Sequence, residues 1–387
     1  MSYHNTGAHF VRRALDLARK GIGLTSPNPN VGAVVVDGNG QIVGEGFHTH
    51  DGVRHAEIIA LEQAAERARG AALYINLEPC SHQGRTGPCA EAIVKAGIRR
   101  VVASMQDPNP EVSGKGFDLL RAAGVTVETG ILEAEARLLN ECFAKYIRHH
   151  IPLVTLKAAM TLDGKIAPPP RTPNKTAPPG IAATSDNWIT GEAARAHGQQ
   201  LRHQNDAILV GVGTVIADDP LLTDRTGQPR RRPLLRVILD SRLRLPLEAR
   251  VVQTAQDDVI VLCFFAEEKK KKKLRKLGVR VEQIPVGTRD GRPDIPGILN
   301  FLGQLEITGV LIEGGAQVNW AALASHMVDK VFFYYAPKIL AGTASIPFAA
   351  GSGFRSLREA PCVKSLSLHR LGEDFAVEGY LRDPYSD

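Results

Sequence analysis

A histidine, a glutamate and two cysteines in the first quarter of the sequence are of the types that bind and use a zinc ion. His55-Ala56-Glu57 is followed by Pro79-Cys80 and then by Cys89. An imidazole and two thiolates are common ligands of tetrahedral zinc, and a fourth position left to water makes the metal hydrolytic. We therefore predict that His55, Cys80 and Cys89 bind Zn²⁺ and that Glu57, which is not a ligand, carries protons.

The flanking residues predict the elements that hold these side chains. A run rich in Ala, Leu and Glu follows Glu57, so we expect His55-Ala56-Glu57 on the first turn of a helix. The apolar run Leu73–Leu77 predicts a strand with Cys80 at its end. Pro88 predicts the start of a second helix that ends at Gly97, with Cys89 in its first turn, where a helix N-terminus favours the thiolate.

A closed structural zinc site is the main alternative. It needs a fourth Cys or His, and His82 is the obvious candidate. We favour the catalytic site, because His-x-Glu followed by Pro-Cys is typical of zinc enzymes that deaminate nucleobases.

Composition predicts an ordinary globular enzyme of two domains. The chain has 387 residues, 43% of them hydrophobic and 23% charged. Its five cysteines form no disulfide pattern, so we expect a reducing, cytoplasmic compartment. Residues 1–21 read as an amphipathic first helix rather than a targeting segment, and no stretch approaches the roughly 18 apolar residues of a membrane span.

The basic charge has a local origin. The formal net charge is +6, and Lys269–Lys273 supply much of the excess. No aromatic residues interleave these lysines, so we interpret them as the solvated face of a helix rather than a nucleic-acid site. We predict small anionic substrates and no nucleic-acid partner.

Alternating strands and helices predict an α/β domain in the first half. They fall at Ala72–Leu77, Pro88–Ala96, Arg100–Ser104, Phe117–Ala123 and Thr126–Val127. A helical stretch is expected over Glu133–Tyr146, and we interpret His149-His150 as a polar linker. The predicted domains are therefore 1–150 and 151–387.

The second half alternates in the same way. Strands are predicted at Leu153–Lys157, Ala207–Val210, Leu235–Leu239, Val259–Phe264, Val279–Gln283, Val310–Ile312 and Lys330–Tyr335. The proline-dense segment Ala167–Thr184 continues neither a helix nor a central strand, so we expect an exposed loop.

Two glycine turns between a strand and a helix indicate an anion site. Gly211-Val212-Gly213-Thr214 and Glu313-Gly314-Gly315 each follow an apolar strand. Glycines let backbone amides approach a phosphate, and a helix N-terminus favours the anion. Neither turn has the full dinucleotide fingerprint, but with Arg202 and Arg225 as clamps they suggest a nucleotide or sugar phosphate ligand.

Five strings of the first half form a recognisable set: Pro27-Asn28-Pro29-Asn30-Val31-Gly32, Gly46-Phe47-His48, His55-Ala56-Glu57, Leu77-Glu78-Pro79-Cys80-Ser81-His82 and Met105-Gln106-Asp107-Pro108-Asn109-Pro110. Together they resemble the bifunctional deaminase/reductase family of riboflavin biosynthesis. Eight residues separate Cys80 from Cys89 and include Gly84-Arg85-Thr86, whereas cytidine, tRNA and DNA deaminases usually carry Pro-Cys-x-x-Cys.

The second half resembles the reductase domain of the same family. The matching strings are Leu162-Asp163-Gly164-Lys165, Trp188-Ile189-Thr190, Asp218-Asp219-Pro220-Leu221-Leu222-Thr223, Val237-Ile238-Leu239-Asp240-Ser241 and Glu313-Gly314-Gly315. The resemblance implies an α/β protein with a cytidine deaminase-like three-layer α/β/α domain followed by a dihydrofolate reductase-like α/β domain.

The resemblance implies two consecutive reactions. Zinc-dependent hydrolysis removes ammonia from 2,5-diamino-6-(5-phosphoribosylamino)pyrimidin-4-one, and NADPH then reduces the ribosyl group to ribityl. It also implies binding residues for each site. For the deamination substrate these are Asn28, His48, His82 and Arg85; for NADPH they are Met160, Trp188, Thr214, Asp218, Ser241 and Gly315; for the second substrate they are Asp186, Arg202, Leu222, Arg225 and Glu313.

Three points stay open from the sequence. Lys157 is a candidate for proton transfer to the opening sugar, although a buried stem with a snorkelling amine explains it equally well. Asp186 stands where the family commonly has a serine that contacts the substrate phosphate, and an aspartate there is unfavourable unless it turns away. The proline-rich segment is longer than the family's usual connection.

Three rival functions follow from these points. The chain could deaminate only, with a degenerate reductase half. It could instead deaminate bases in nucleic acid, or it could be a zinc-stabilised binding protein. The family resemblance also implies a homo-oligomer.

Overall fold

The computed structural model describes residues 4–81, 87–169, 188–284 and 294–386. These residues form two units, which are described separately below. The first contains the chain up to His150 together with Pro229–Arg232, and the second contains Ile151–Gln228 and Pro233–Ser386. Within the described residues, no helix is long and apolar enough to cross a membrane.

The first unit is built on a mixed five-stranded sheet of order β2-β1-β3-β4-β5. Its elements in chain order are α1 (His4–Arg19), β1 (Gly32–Val36), β2 (Ile42–Phe47), α2 (Ala56–Ala64), a 3₁₀ turn (Ala65–Ala68), β3 (Ala72–Leu77), α3 (Cys89–Lys95), β4 (Arg100–Met105), α4 (Lys115–Ala122), β5 (Thr126–Thr129), α5 (Glu133–Leu139) and α6 (Glu141–His149).

Helices α1 and α2 pack on opposite faces of this sheet at glycines that bring them very close. A Cβ on Gly32 would lie 2.1 Å from the Ala14 carbonyl oxygen of α1. On β2, a Cβ on Gly44 or Gly46 would lie 2.0 or 2.3 Å from a carbonyl oxygen of α2. Gly46 pairs with Ala33, the neighbour of Gly32, so the two sets point to opposite faces. The unit is therefore a three-layer α/β/α sandwich.

The second unit is built on a nine-stranded sheet of order β11-β10-β9-β8-β12-β6-β13-β16-β15. Its elements in chain order are β6 (Leu153–Thr161), β7 (Lys165–Ala167), α7 (Glu192–Gln204), β8 (Ala207–Gly211), α8 (Val212–Asp218), β9 (Leu235–Leu239), α9 (Arg250–Gln253), β10 (Val259–Cys263), α10 (Glu268–Lys276), β11 (Val279–Gln283), α11 (Ile295–Gln304), β12 (Gly309–Ile312), α12 (Ala316–Ala324), β13 (Lys330–Ala336), β14 (Ile346–Pro347), β15 (Lys364–Leu371) and β16 (Asp374–Tyr380).

The strands from β11 to β13 run parallel, and β16 and β15 continue the sheet antiparallel. Buried Val, Ile and Leu residues fill the central strands on both faces, as expected of a parallel sheet covered by helices. The carboxyl ends of β9, β8, β12 and β6 meet at one edge, where ligands bind in open α/β sheets. Helix α7 covers part of one face by packing Ala194 and Leu201 against Leu311, Phe332 and Tyr334.

The predicted α/β class is confirmed, and most predicted strands have nearly the predicted bounds. Those at Ala72–Leu77, Leu235–Leu239 and Val279–Gln283 match to the residue. The sequence analysis did not identify β1, β2, β15 or β16. Of the proline-rich segment, Ala167 ends β7, Pro168 and Pro169 have no regular structure, and the rest lies outside the described residues.

Two local predictions were wrong, and a third was correct in type but not in detail. His55 is the N-cap of α2 with extended backbone, φ −74° and ψ 157°, and is not on its first turn. The stretch predicted over Glu133–Tyr146 is helical but is divided into two helices, α5 and α6. They break at Asn140, whose side chain accepts a hydrogen bond from the Asn30 backbone N–H at 2.7 Å. His149 is the last residue of α6 rather than part of a linker, and His150 follows it in the left-handed region at φ 54°.

Candidate active sites

The predicted zinc ligands converge in the first unit. His55 lies before α2, Cys80 follows β3, and Cys89 is the first residue of α3. His55 Nδ1 is 3.2 Å from Cys89 Sγ and 3.5 Å from Cys80 Sγ, and the three ligand atoms lie within 4.8 Å of one another. Tetrahedral zinc holds a nitrogen and a sulfur ligand about 3.5 Å apart. The donor set and its spacing therefore fit one Zn²⁺.

Protons are shared unevenly in this cluster. A hydrogen bond from Cys89 lowers the pKa of Cys80 to about 4, and a hydrogen bond from His55 adds to the effect. The same contact with Cys80, together with burial, raises the pKa of Cys89. The hydrogen bond with Cys80 also raises the pKa of His55 against the effect of burial. A divalent cation would replace the shared proton and leave both sulfurs as thiolates.

Glu57 lies beside the cluster and is only 3% exposed. Burial, and then the nearby Cys80 thiolate, raise the pKa of Glu57 to about 7, while His55 opposes the shift. A carboxyl group with a pKa near neutrality both accepts and donates protons at neutral pH.

Glu78 fixes the loop that carries Cys80, a role the sequence analysis did not assign. Its buried carboxylate accepts backbone N–H bonds from Asp107 and Gly114 at 3.1 and 2.9 Å, and from Gly116 and Phe117 at 2.8 and 3.3 Å. Its place directly before Pro79-Cys80 was the available signal.

The predicted contacts to the deamination substrate fall into two groups. Asn28 Nδ2 lies 3.0 Å from His48 Nε2, and the His48 and His55 rings meet edge to face at 5.4 Å. Asn28 and His48 are therefore near the zinc ligands. His82 and Arg85 lie outside the described residues.

A charged cluster at the carboxyl edge of the second sheet brings together three predicted residues. Glu313 follows β12, and the pairing of Leu156 with Ile312 puts it level with Lys157 on β6. Arg202 on α7 donates to both Glu313 oxygens at 2.7 and 2.9 Å, and Lys157 Nζ lies 3.6 Å from Oε2. Burial alone would raise the pKa of Glu313, but Lys157 and Arg202 lower it to about 2.

The two glycine turns lie side by side at the same edge. The Gly211 N–H donates to the Gly314 carbonyl at 2.9 Å. A Cβ on Gly315 would come within 3.2 Å of Thr214 Oγ1, and one on Gly211 within 2.9 Å of Val318. Because the glycines have no side chains, the backbone N–H groups at the N-termini of α8 and α12 are accessible to a ligand. Such a site fits the phosphates of a dinucleotide such as NADPH.

The remaining residues predicted to contact NADPH lie on separate elements of the second unit. Met160 is buried on β6, Ser241 follows β9, and Asp218 ends α8. Trp188 is 54% exposed, and the Arg195 guanidinium lies 5.0 Å from its ring centroid.

Two of the other predicted substrate residues lie after α8. Leu222 is buried with φ 57°. Burial, and then repulsion from Arg202, lower the pKa of Arg225, while Glu313 opposes the shift. Arg225 and Arg202 are close enough to repel each other, and two neighbouring guanidinium groups favour the binding of an anion. Asp186 lies outside the described residues.

Tyr334 lies beside Lys157 and contacts His197, and neither Tyr334 nor His197 was predicted. Lys157 Nζ lies 5.6 Å from the Tyr334 ring centroid, and Tyr334 Oη lies 2.7 Å from His197 Nδ1. The alternation Lys330, Phe332, Tyr334 on one face of β13 was the only sequence signal, and it is indistinguishable from ordinary core alternation.

Comparisons with known proteins match both units. Residues 5–105 match the cytidine and deoxycytidylate deaminase zinc-binding region, and residues 152–377 match the RibD C-terminal domain. Riboflavin biosynthesis protein RibD of Actinobacillus pleuropneumoniae is 40% identical over 98% of this chain and 96% of its own length. The Aquifex aeolicus protein of the same name is 42% identical over 95% and 97%.

Solved structures of similar proteins match the fold over nearly the whole chain. Acinetobacter baumannii RibD, form 1, has a TM-score of 0.80 at 37% identity and covers 97% of this chain and 99% of its own. A diaminohydroxyphosphoribosylaminopyrimidine deaminase/5-amino-6-(5-phosphoribosylamino)uracil reductase from Thermotoga maritima has a TM-score of 0.79 at 34% identity, covering 98% and 99%. The chain therefore belongs to the RibD family, the bifunctional zinc-dependent deaminases and NADPH-dependent reductases of riboflavin biosynthesis.

Proposed function

We propose that His55, Cys80 and Cys89 bind the zinc ion of the deaminase and that Glu57 is its proton carrier. The observation that carries this assignment is the convergence of three ligand atoms beside one buried carboxyl group. When bound, zinc supplies a Lewis acid that activates water for attack on the amino-bearing carbon of the pyrimidine.

Glu57 moves the proton in this step. Its carboxylate takes a proton from the attacking water and returns one to the departing amino group, which leaves as ammonia. Asn28 and His48, already hydrogen-bonded to each other near the ligands, hold the pyrimidine. We assign His82 and Arg85 to the same substrate from their motif alone.

In the second unit we propose that Met160, Trp188, Thr214, Asp218, Ser241 and Gly315 line the NADPH site. The neighbouring glycine turns at the sheet edge support this assignment. Arg202, Leu222, Arg225 and Glu313 then face the ribosylamino substrate, and Arg225 meets its phosphate. Asp186 is assigned to this substrate by its position in the sequence.

Lys157 is the proton donor that we propose for reduction. NADPH, when bound, supplies a hydride to the ribose carbon that carries the amino group. The bond from that carbon to the ring oxygen breaks, and the Lys157 ammonium protonates the oxygen, leaving an open ribityl chain. Glu313, held by Arg202, keeps the ammonium at the sheet edge.

A coupled assay tests both assignments. Purified protein with Zn²⁺ should release ammonia from the diaminopyrimidine substrate and then oxidise NADPH with the deaminated product. Ammonia release without NADPH oxidation would support a chain that only deaminates. Lys157→Met should abolish NADPH oxidation and leave ammonia release. Glu57→Ala should abolish ammonia release and leave NADPH oxidation.

The same variants separate the remaining rivals. Glu57→Ala should lose deamination while zinc content stays at about one per chain, which a zinc-stabilised binding protein would not predict. Deamination of RNA or single-stranded DNA faster than of the free pyrimidine would favour a nucleic-acid enzyme.

We further propose a cytoplasmic homo-oligomer. The five cysteines are all free, which suits a reducing compartment. Strand β15 is an edge of its sheet, with Leu366 and Leu368 61% and 77% exposed, which suits pairing with a second copy. Light scattering coupled to size-exclusion chromatography would test the assembly.

A further inference from the structure

The ammonium group of Lys157 has two neighbours of different kinds. Nζ lies 3.6 Å from Glu313 Oε2, which is longer than a hydrogen bond, and both Glu313 oxygens already accept from Arg202. Its second neighbour is the Tyr334 ring, whose centroid is 5.6 Å away. A lysine side chain has many rotamers, so one long carboxylate contact does not fix its amine. An aromatic face within about 6 Å attracts the ammonium and limits where it can go.

The Tyr334 ring is itself held firmly. It is 1% exposed and packs at 5.1 Å against the Phe332 ring on the same face of β13. Burial, and then Glu313 and Glu378, raise the pKa of Tyr334, so its hydroxyl stays protonated. That hydroxyl lies 2.7 Å from His197 Nδ1.

His197 on α7 is the hydrogen-bond partner of this hydroxyl. Burial, and then His369, lower the pKa of His197 against the effect of Glu378, which favours a neutral ring; in the tautomer protonated at Nε2, Nδ1 accepts a hydrogen bond from the phenol. The ring also stacks on Phe332 with centroids 5.0 Å apart. The hydrogen bond to His197 Nδ1 therefore ties the Tyr334 hydroxyl to helix α7.

Helix α7 therefore reaches both sides of the Lys157–Glu313 pair. Arg202, in its last turn, holds the carboxylate through two hydrogen bonds. His197 holds the aromatic ring on which the ammonium rests. Lys157, the proposed acid, lies on β6, and its counter-charge Glu313 follows β12. Helix α7 contributes to the position of both.

We propose that Tyr334 and His197 are positioning residues of the reductase, which hold the Lys157 ammonium in place for proton transfer. The inference rests on the proposed role of Lys157 as proton donor. It assigns Tyr334 two separable parts: the ring supports the ammonium, and the hydroxyl, through His197, fixes the ring.

The test measures kcat and KM for NADPH oxidation, with NADPH affinity measured separately by fluorescence. Tyr334→Leu removes the ring and should lower kcat by about tenfold or more with KM for NADPH unchanged, because a misplaced reacting group slows chemistry rather than binding. Tyr334→Phe keeps the ring and should lower kcat by only about two- to fivefold.

A double-mutant cycle isolates the hydrogen bond. His197→Ala should cost about as much kcat as Tyr334→Phe, and the double variant should be no slower than the slower single variant, because both remove one interaction. Multiplicative losses would mean that the two residues act independently and would overturn the proposal.

Tyr380→Leu is the matched control. Lys330 Nζ lies 5.1 Å from the Tyr380 ring centroid, so this variant removes the same kind of contact from the same sheet, and its kcat should not change. Normal kcat in Tyr334→Leu, with reduction lost in Lys157→Met, would overturn the positioning role alone. Normal kcat in Lys157→Met would overturn the proposed function of Lys157 and this inference with it.

Discussion

The two active sites hold their charges in opposite ways. In the first unit, His55, Cys80 and Cys89 place two sulfurs and an imidazole nitrogen within 4.8 Å of one another, an arrangement that suits a cation. In the second unit, the buried carboxylate of Glu313 already has Arg202 and Lys157 as partners. The first cluster presents donor atoms that could hold a metal ion, whereas the charged groups of the second are paired with one another.

Because of this difference, we expect the two sites to lose activity in different ways. The metal site depends on three ligand atoms and tolerates no loss of the ion. The reductase site depends on a chain of side-chain contacts, so single substitutions should weaken it in graded steps. The predictions below test this contrast.

Removing zinc should have the largest effect. Chelation followed by dialysis should abolish ammonia release and leave NADPH oxidation with the deaminated substrate within about twofold of normal. Readdition of Zn²⁺ should restore the first activity. A parallel loss of both activities would break the contrast, because it would make the reductase depend on the metal.

Replacing Glu57 should remove nearly as much deamination. Glu57→Gln keeps the volume but cannot carry the proton, so ammonia release should fall by about 10³-fold with zinc still bound. The matched control is Glu62→Gln, on the same helix but exposed and paired with Arg54, which should stay near normal. A Glu57→Gln enzyme within tenfold of wild type would exclude the assigned role.

Substitution of Glu313 should give an intermediate effect confined to reduction. Glu313→Gln leaves Arg202 and Lys157 without their shared counter-charge, and NADPH oxidation should fall by about 10²-fold. Deamination measured on the same preparation should not change. Equal loss of both activities would indicate general unfolding instead.

Acid should weaken the second unit through the same carboxylate. The pKa of Glu313 is lowered from 4.5 to about 2, so the unfolded chain takes up its proton first. The stabilisation is complete above about pH 4.5 and disappears as the pH falls toward 2. Between about pH 5 and pH 3 the free energy of unfolding should therefore fall more steeply in wild type than in Glu313→Gln, as followed by urea titration. Parallel curves would contradict the paired-charge description.

The lysine-rich helix should matter least. Lys269 to Lys273 lie in α10, as the sequence analysis predicted, and replacing Lys270 and Lys272 by Gln should change stability by less than about 0.5 kcal/mol. Both activities should persist, and neither the wild type nor the variant should bind RNA in a filter-binding assay. Loss of deamination in this variant would reopen the nucleic-acid alternative.

The zinc site was predictable because its chemistry is local in sequence. Residues 55–89 contain all three ligands and Glu57, and only a few side-chain types bind zinc. The family resemblance of both halves, the α/β class and the two cofactors are confirmed, while the roles of the individual site residues stay predictions.

The reductase site was predictable only in part. Lys157, Arg202 and Glu313 were named, but their convergence depends on β6 and β12 becoming neighbours, which no local pattern states. Tyr334 and His197 were not predicted, because a tyrosine on a strand and a histidine on a helix have the sequence pattern of ordinary core residues. Their contact depends on how helix α7 packs on the sheet, which the local sequence does not show. Asn140 likewise interrupts a helix through a partner that is distant in sequence.

The close contact of α2 with Gly44 and Gly46 extends the zinc site well beyond its ligands. His55 and Glu57 take their position from the start of this helix, and metal ligation tolerates distance errors of only about 0.2 Å. A methyl group at Gly44 or Gly46 would lie 2.0 or 2.3 Å from a carbonyl oxygen of α2, so backbone of the strand or the helix would have to shift. We therefore expect a variant with Ala in place of Gly44 or Gly46 to bind less zinc, even though His55, Cys80 and Cys89 are unchanged.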